Sequence, residues 1–122
     1  MWYTDFVVEM DVRHIDIKDL EWYFQFRGGP AYRFLSNRID RYESNPYTSN
    51  PTDQVAVSLS KPYRVLIIVK GYETALYLND EPVLYGSLPG GFKNGEARWL
   101  MNLHHGVVAF DTIQIWDLNN LE

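Results

Sequence analysis

Apolar and polar side chains alternate along much of the chain, which is the pattern of β-strands that bury one face. The alternation is clearest over residues 6–13, 22–27, 31–35 and 55–59. In the first segment Phe6, Val8 and Met10 share one face, while Glu9 and Asp11 share the other. We therefore expect the apolar face of each segment to line a core and the polar face to point outward.

The second half of the chain continues this pattern with clearer turn signals. Residues 65–69 are apolar on both faces, which predicts a central strand covered on both sides. Asn79-Asp80 predicts a tight turn between two antiparallel strands, and Gly106 separates predicted strands at residues 99–103 and 107–116.

The remaining segments carry weaker signals. Residues 37–53 predict a loop with a short strand at residues 39–42, residues 89–95 predict a flexible loop, and residues 15–20 predict a short helical turn. About ten short strands with frequent turns indicate an all-β fold, an antiparallel β-sandwich or barrel, formed by residues 1–122 as a single domain.

Composition narrows the classes of function. The formal net charge of −5 and the lack of a basic stripe argue against nucleic acid as a partner. The chain has no cysteine, so disulfides, thiol catalysis and cysteine zinc sites are excluded. No apolar run reaches the roughly 20 residues of a membrane helix, so we expect no membrane insertion.

The N-terminal sequence is compatible with two localisations. The N-terminal residues do not read as a signal peptide. We therefore expect either a cytoplasmic protein or a module of a larger, exported parent, which would be extracellular or on the cell surface.

Two stretches resemble the concanavalin A-like lectin/glucanase superfamily, which includes laminin G-like and 3-keto-disaccharide hydrolase-type domains. Residues 63–71 followed by 75–83 resemble a hairpin of these domains, and residues 108–116 resemble their closing strand. The resemblance implies an antiparallel β-sandwich of jelly-roll type and carbohydrate as the ligand class. Members usually have a further strand before the one at Phe6, so the resemblance also implies an open sheet edge that a neighbouring domain or a second copy could complete.

The resemblance also raises the hypothesis of a degenerate glycoside hydrolase. Laminarinase-like members carry a Glu-x-Asp-x-x-Glu motif, and here Glu9 and Asp11 are followed by His14 in place of the third carboxylate. Arg13 shares the face of the two carboxylates, and a cation there disfavours a protonated general acid. Our interpretation is a solvated strand face with an ion pair, and we predict no catalytic residue.

The sequence gives weaker evidence for a metal site or for another catalytic base. His104 and His105 are adjacent on a strand and so point to opposite faces, which is unsuitable for one metal ion. Asp111 fits a structural role better than that of a base. The candidate calcium ligands are scattered, without a fixed spacing: Asp16, Asp19, Asp40 and Asp53. We predict no metal and no cofactor.

Binding has better support. Sugar recognition uses aromatic rings for stacking together with planar donors and carboxylates for hydroxyl groups. We predict an outward-facing set with this chemistry: Tyr23, Gln25, Arg27, Arg33, Tyr42 and Trp99. A ligand would stack on Tyr23 or Tyr42, and Arg27 and Arg33 would donate to it. The alternatives are plain cross-strand pairs in a protein-interaction or assembly module, and the degenerate hydrolase.

Overall fold

The structure is a computed structural model that describes residues 5–88 and 99–118. These residues form eight β-strands: β1 (Phe6–Phe26), β2 (Ala31–Leu35), β3 (Arg38–Tyr42), β4 (Asp53–Ala56), β5 (Tyr63–Lys70), β6 (Glu73–Leu78), β7 (Glu81–Ser87) and β8 (Trp99–Asp117). Every strand pairing is antiparallel. The predicted all-β, antiparallel sandwich is confirmed.

Two long strands organise the sandwich. The first half of β1 pairs with β5 and its second half with β2, while β8 follows β1 along both halves. We call β4, β3, β2, the second half of β1 and the first half of β8 the front sheet. The back sheet consists of β7, β6, β5 and the remaining halves of β1 and β8. Each sheet thus has five segments, which matches the predicted number of about ten.

The core lies between the sheets, where the alternation of β1 predicted it. Phe6, Val8 and Met10 come from its first half and Trp22 and Phe24 from its second, and all five are fully buried. The ring of Trp22 stacks on that of Phe34 with centroids 3.9 Å apart. Burial of each such side chain stabilises the fold by roughly 1.5–3 kcal/mol.

The predicted helical turn at residues 15–20 is wrong, because β1 continues through this segment from one sheet to the other. The backbone bends where Asp19 adopts a φ of 53° and where the β1–β8 register shifts. Gly106 faces this bend with a φ of 91°, and a Cβ atom there would lie 2.7 Å from the carbonyl oxygen of Asp16. Gly106 therefore allows β8 to follow the bend as one strand rather than the predicted two.

The back sheet meets most expectations. β5 lies at its centre as predicted, but Leu66 and Ile68 on its outer side are only half-buried, so it is covered on one side alone. The β6–β7 turn has Asn79 and Asp80 at φ values of 50° and 70°, as the tight turn requires. The predicted strand at residues 55–59 is shorter than expected, because β4 ends at Ala56.

Polar contacts close the side of the sandwich where β3 and β4 approach β7. The Arg41 guanidinium is buried, forms an ion pair of 2.6 Å with Asp53, and packs so closely on Gly86 of β7 that a Cβ atom there would lie 2.1 Å from it. The Tyr32 hydroxyl is 2.8 Å from the Thr74 hydroxyl in the opposite sheet. Any residue but glycine at position 86 would therefore displace this arginine.

The predicted loop at residues 89–95 lies outside the described residues. Within residues 5–88 and 99–118, the structure has no helix with the length and apolar character needed to cross a bilayer.

Candidate functional site

Strand register assembles a row of polar side chains on the outer side of the front sheet. Tyr23 of β1 lies opposite Arg33 of β2 and Asn102 of β8, Arg33 lies opposite Asp40 of β3, and Asp40 lies opposite Gln54 of β4. Neighbouring residues in these strands enter the core, so the period of two directs the row away from it. Five strands thus present one continuous polar row.

Arg33 is the centre of a charged cluster on this row. Its Nε donates to Glu21 Oε2 at 2.7 Å, and its Nη1 donates to Asp40 Oδ2 at 3.3 Å. Arg38 Nε donates to the other oxygen of Asp40 at 3.0 Å. Asp40 is fully buried, so both of its oxygens depend on these arginines. We call Glu21, Arg33, Arg38 and Asp40 the front cluster.

The electrostatics of the cluster follow from these contacts. Burial alone would raise the pKa of Glu21, but the hydrogen bond and charge of Arg33 outweigh burial and lower it. Burial lowers the pKa of Arg33, but the Glu21 carboxylate more than compensates and raises it. Burial raises the pKa of Tyr23 to about 12, so its hydroxyl stays protonated and donates to Glu21 at 3.1 Å. Glu21 and Arg33 are therefore both charged at neutral pH.

The loop between β3 and β4 crosses the front sheet and places Tyr47 on β1 and β8. The Tyr47 ring lies 5.3 Å from the ring of Tyr23, and its hydroxyl is 3.0 Å from His104 Nε2. Asn102 Nδ2 donates to the same hydroxyl at 3.1 Å. Tyr47 is 49% exposed, whereas Tyr23 and Tyr42 are buried. The aromatic surface open to a ligand here is thus Tyr47.

An open groove of about 550 Å³ lies beside the front cluster. We call it the front groove, and its polar lining includes Glu21, Arg33, Ser36, Asn37, Arg38 and His105. Ile17, Leu20 and Leu35 add an apolar portion. Planar donors, a carboxylate and short polar side chains therefore line one shallow concavity.

The structure brings together four of the six predicted binding residues. Tyr23, Gln25, Arg33 and Tyr42 lie on the outer side of the front sheet, since Gln25 and Tyr42 both pair with Ala31 there. The expected stacking on Tyr23 or Tyr42 is wrong in this arrangement, because both rings are buried. Gln25 donates to the carbonyl oxygen of Gly29 at 3.1 Å and so supports the β1–β2 turn.

Arg27 and Trp99 do not belong to the set. Arg27 is 3% exposed and has a φ of 51°, because the chain leaves strand geometry at the turn. Its guanidinium donates to the carbonyl oxygen of Gly71 at 2.6 Å and pairs with Asp5. Trp99 lies opposite Phe26 and stacks on Phe24 with centroids 5.3 Å apart, so it faces the core.

The candidate hydrolase residues are separated. Asp11 forms an ion pair with Arg64 at 3.1 Å on the outer side of the back sheet, so the expected ion pair exists, with Arg64 as the cation. His14 is instead buried between the sheets, where its Nε2 is 2.7 Å from the Tyr63 hydroxyl. Within the described ranges, no group of three or more histidine, aspartate or glutamate side chains is placed to hold a metal ion.

Sequence reasoning missed the residues that complete the site: Glu21, Arg38, Tyr47 and His104 as its members, and Asp40 as more than a scattered carboxylate. Glu21 could have been found, because it lies two residues before Tyr23 on the same face. Tyr47 could not, because its partner His104 is 57 positions away.

Two packed antiparallel sheets with long strands shared between them define a jelly-roll β-sandwich. Among solved structures the chain is similar to sheep galectin-11 in complex with glycerol, with a TM-score of 0.67 and 8% identity over 93% of this chain and 90% of that one. It is equally similar to the carbohydrate-binding module CBM66 from Bacillus subtilis, with a TM-score of 0.67 and 13% identity over 91% and 74%.

A third similar structure is a glycosyl hydrolase candidate from Parabacteroides distasonis, with a TM-score of 0.64 and 16% identity over 97% of this chain and 74% of that one. No family model and no curated protein matches the sequence. At these identities the likeness establishes the fold.

Proposed function

We propose that this chain is a non-catalytic recognition module that binds carbohydrate in the front groove. The observation that carries the proposal is the fixed position of Arg33 between Glu21 and Asp40 at the wall of an open concavity. Groups held before a ligand arrives lose little conformational entropy on binding. The similar sandwich folds of a galectin and of CBM66 support this ligand class.

The chemistry of the groove favours neutral sugar hydroxyls over anionic sugars. Each arginine of the front cluster already faces a carboxylate, so the local charge is largely compensated. Arg33 and Arg38 retain N–H donors, and Glu21 retains acceptor capacity, which together match a pair of adjacent hydroxyls. Tyr47, which contacts Tyr23 and His104 on the same side of the sheet, supplies a half-exposed ring for the apolar side of a pyranose.

Glycan-array binding followed by calorimetry on the strongest glycan tests the proposal. Arg38→Ala removes a donor that is 41% exposed while leaving Arg33 on Asp40, and Tyr47→Ala removes the ring. We expect each to weaken binding about tenfold, the equivalent of one good hydrogen bond or ring contact.

Arg64→Ala, on the outer side of the back sheet, is the matched control and should bind like the parent. The proposal fails if the array binds no glycan, or if both front variants bind as well as Arg64→Ala. Hydrolysis of a β-glucan panel would contradict the non-catalytic part of the proposal.

A further inference from the structure

Strand β8 is a long edge strand with one unpaired side in the described part of the chain. It pairs with β1 along one side, and no other strand in the described part of the chain pairs with its second side. Since β8 is 19 residues long and belongs to both sheets, this edge runs the full length of the sandwich. An unpaired edge is a template for another strand, and natural proteins usually guard it with charge, proline or a short strand.

Strand β8 is long and has no proline, and Asp111 and Asp117 are its only aspartate or glutamate residues. Its 19 residues contain no lysine, arginine or proline, whereas the opposite edge strand β7 begins with Glu81 and Pro82. Six large apolar side chains of β8 are each 39–48% exposed: Leu100, Leu103, Val107, Ile113, Ile115 and Trp116. Exposed apolar groups in a row beside free backbone groups are typical of a surface that another strand covers.

We propose that β8 is a dimerisation edge that pairs antiparallel with β8 of a second copy about a two-fold axis at Val108. In this register the strands overlap end to end, with Trp99 opposite Asp117 of the partner subunit. Four of the exposed apolar side chains meet in apolar pairs, since Leu103 lies opposite Ile113 of the partner subunit and Leu100 opposite Trp116 of the partner subunit. Such direct cross-strand pairs stabilise a sheet.

The sidedness of the strand agrees with this register. Leu103 and Ile115 pair with the core residues Trp22 and Val8, so they face inward. Leu100 and Trp116 pair with Gln25 and Val7, so they face outward. Opposed residues of an antiparallel pair share a face, and the proposed pairing joins inward with inward and outward with outward. A shift by one residue would join the two opposite faces.

Polar side chains of β8 select a second copy as the occupant. The two-fold register sets Asn102 opposite Gln114 of the partner subunit and His105 opposite Asp111 of the partner subunit, each pair occurring twice. Amide thus meets amide, and an imidazole meets a carboxylate. A strand of unrelated sequence would have no reason to match both pairs, whereas self-pairing provides both from one chain.

Solution mass tests the existence of the dimer. Analytical ultracentrifugation over a concentration series should show a particle of twice the 14.3 kDa chain mass that dissociates on dilution. Leu100→Lys places a charge opposite Trp116 of the partner subunit and should raise the dimer dissociation constant by about tenfold or more. A monomer at every concentration would overturn the proposal. Tyr85→Lys, at an exposed aromatic position on β7, is the control and should dimerise like the parent.

Crosslinking tests the register, and the absence of cysteine makes the reading clean. The Asn102→Cys/Gln114→Cys double variant should form a covalent dimer on mild oxidation, seen on a non-reducing gel. Each single variant should not, because residue 102 faces residue 114 and never its own copy. Within one chain, residue 102 lies on the outer side of the front sheet and residue 114 on the outer side of the back sheet, so the sandwich separates them too far for a disulfide. A mass of two chains without the double-variant crosslink would overturn pairing in this register.

Discussion

Strand β1 contributes residues to two clusters of polar side chains, of which one is neutral and the other is charged. Between the sheets, the Trp22 indole N–H donates to His14 Nε2 at 3.3 Å, and the same nitrogen lies 2.7 Å from the Tyr63 hydroxyl, with apolar residues around them. On the outer side of the front sheet, Arg33 joins Glu21 and Asp40. The interior cluster is neutral, and the front cluster is charged.

The two clusters differ in the hydrogen-bond partners and counter-charges that surround their titratable groups. His14 Nδ1 is buried without a hydrogen-bond partner, so a proton on both ring nitrogens would be poorly solvated, and burial lowers the pKa of His14 to about 4. The carboxylate of Asp40 is equally buried but receives one guanidinium N–H on each oxygen. Burial therefore lowers the pKa of His14 where counter-charges are missing, whereas the Arg33 guanidinium at the front lowers the pKa of Glu21 despite its burial.

The largest expected effect comes from removing the charge that links the front cluster. Arg33→Met leaves Glu21 without its main cation and Asp40 with Arg38 alone. Breaking a largely buried pair from one side costs about 3 kcal/mol, so we expect a loss of that order in the free energy of unfolding by urea at pH 7. Adding Glu21→Gln should recover part of it, because the stranded charge is removed.

The exposed pair of Asp11 and Arg64 provides the matched control. Both side chains are about half exposed, so solvent screens them and Arg64→Met should leave stability unchanged within error. If Arg33→Met costs no more than Arg64→Met, the front cluster has no energetic distinction from an ordinary surface pair.

The next effect is the pH dependence caused by His14. Its folded pKa, about 4, lies below the ordinary 6.5, so the unfolded state binds more protons between these values. Stability from this group is therefore complete above pH 6.5, is lost as pH falls toward 4, and changes no further below 4. The loss amounts to about 3 kcal/mol at most.

Urea unfolding at several pH values between 7 and 4 measures this loss. Carboxylates also contribute in that range, so the informative quantity is the difference between variants. His14→Gln should show a shallower decline than the parent. Equal slopes in the two proteins would contradict a buried neutral His14.

These clusters show what local sequence can reveal. The alternation of β1 predicted its core residues, because side-chain direction in a strand depends only on position along it. The motif comparison put His14 in the place of a third carboxylate, whereas the structure buries it between the sheets. The alternation misplaced Arg27, because a positive φ at the turn ends the strand geometry there.

The alternation identified Arg33 of the front cluster and the neighbouring Tyr23 as outward-facing, but it did not predict the cluster itself. Its contacts depend on how β1, β2 and β3 are aligned, and the register of strands is a property of the folded sheet rather than of any one segment. Tyr47 lies in the loop between β3 and β4 and contacts His104 of β8, and no spacing in the sequence predicts that contact. The sandwich was therefore predictable, and the groove only in part.

The smallest expected effect on stability comes from removing one tyrosine hydroxyl from each cluster. Tyr63→Phe removes a hydrogen-bond partner from buried His14 and leaves the indole of Trp22 as its partner, which should cost about 1 kcal/mol in urea unfolding. Tyr23→Phe removes a donor from Glu21, which keeps the Arg33 guanidinium, so its cost should be smaller. The reverse order would mean that the Arg33 guanidinium does not compensate Glu21 for the lost hydroxyl. Charge compensation would then not be what distinguishes the front cluster from the buried site.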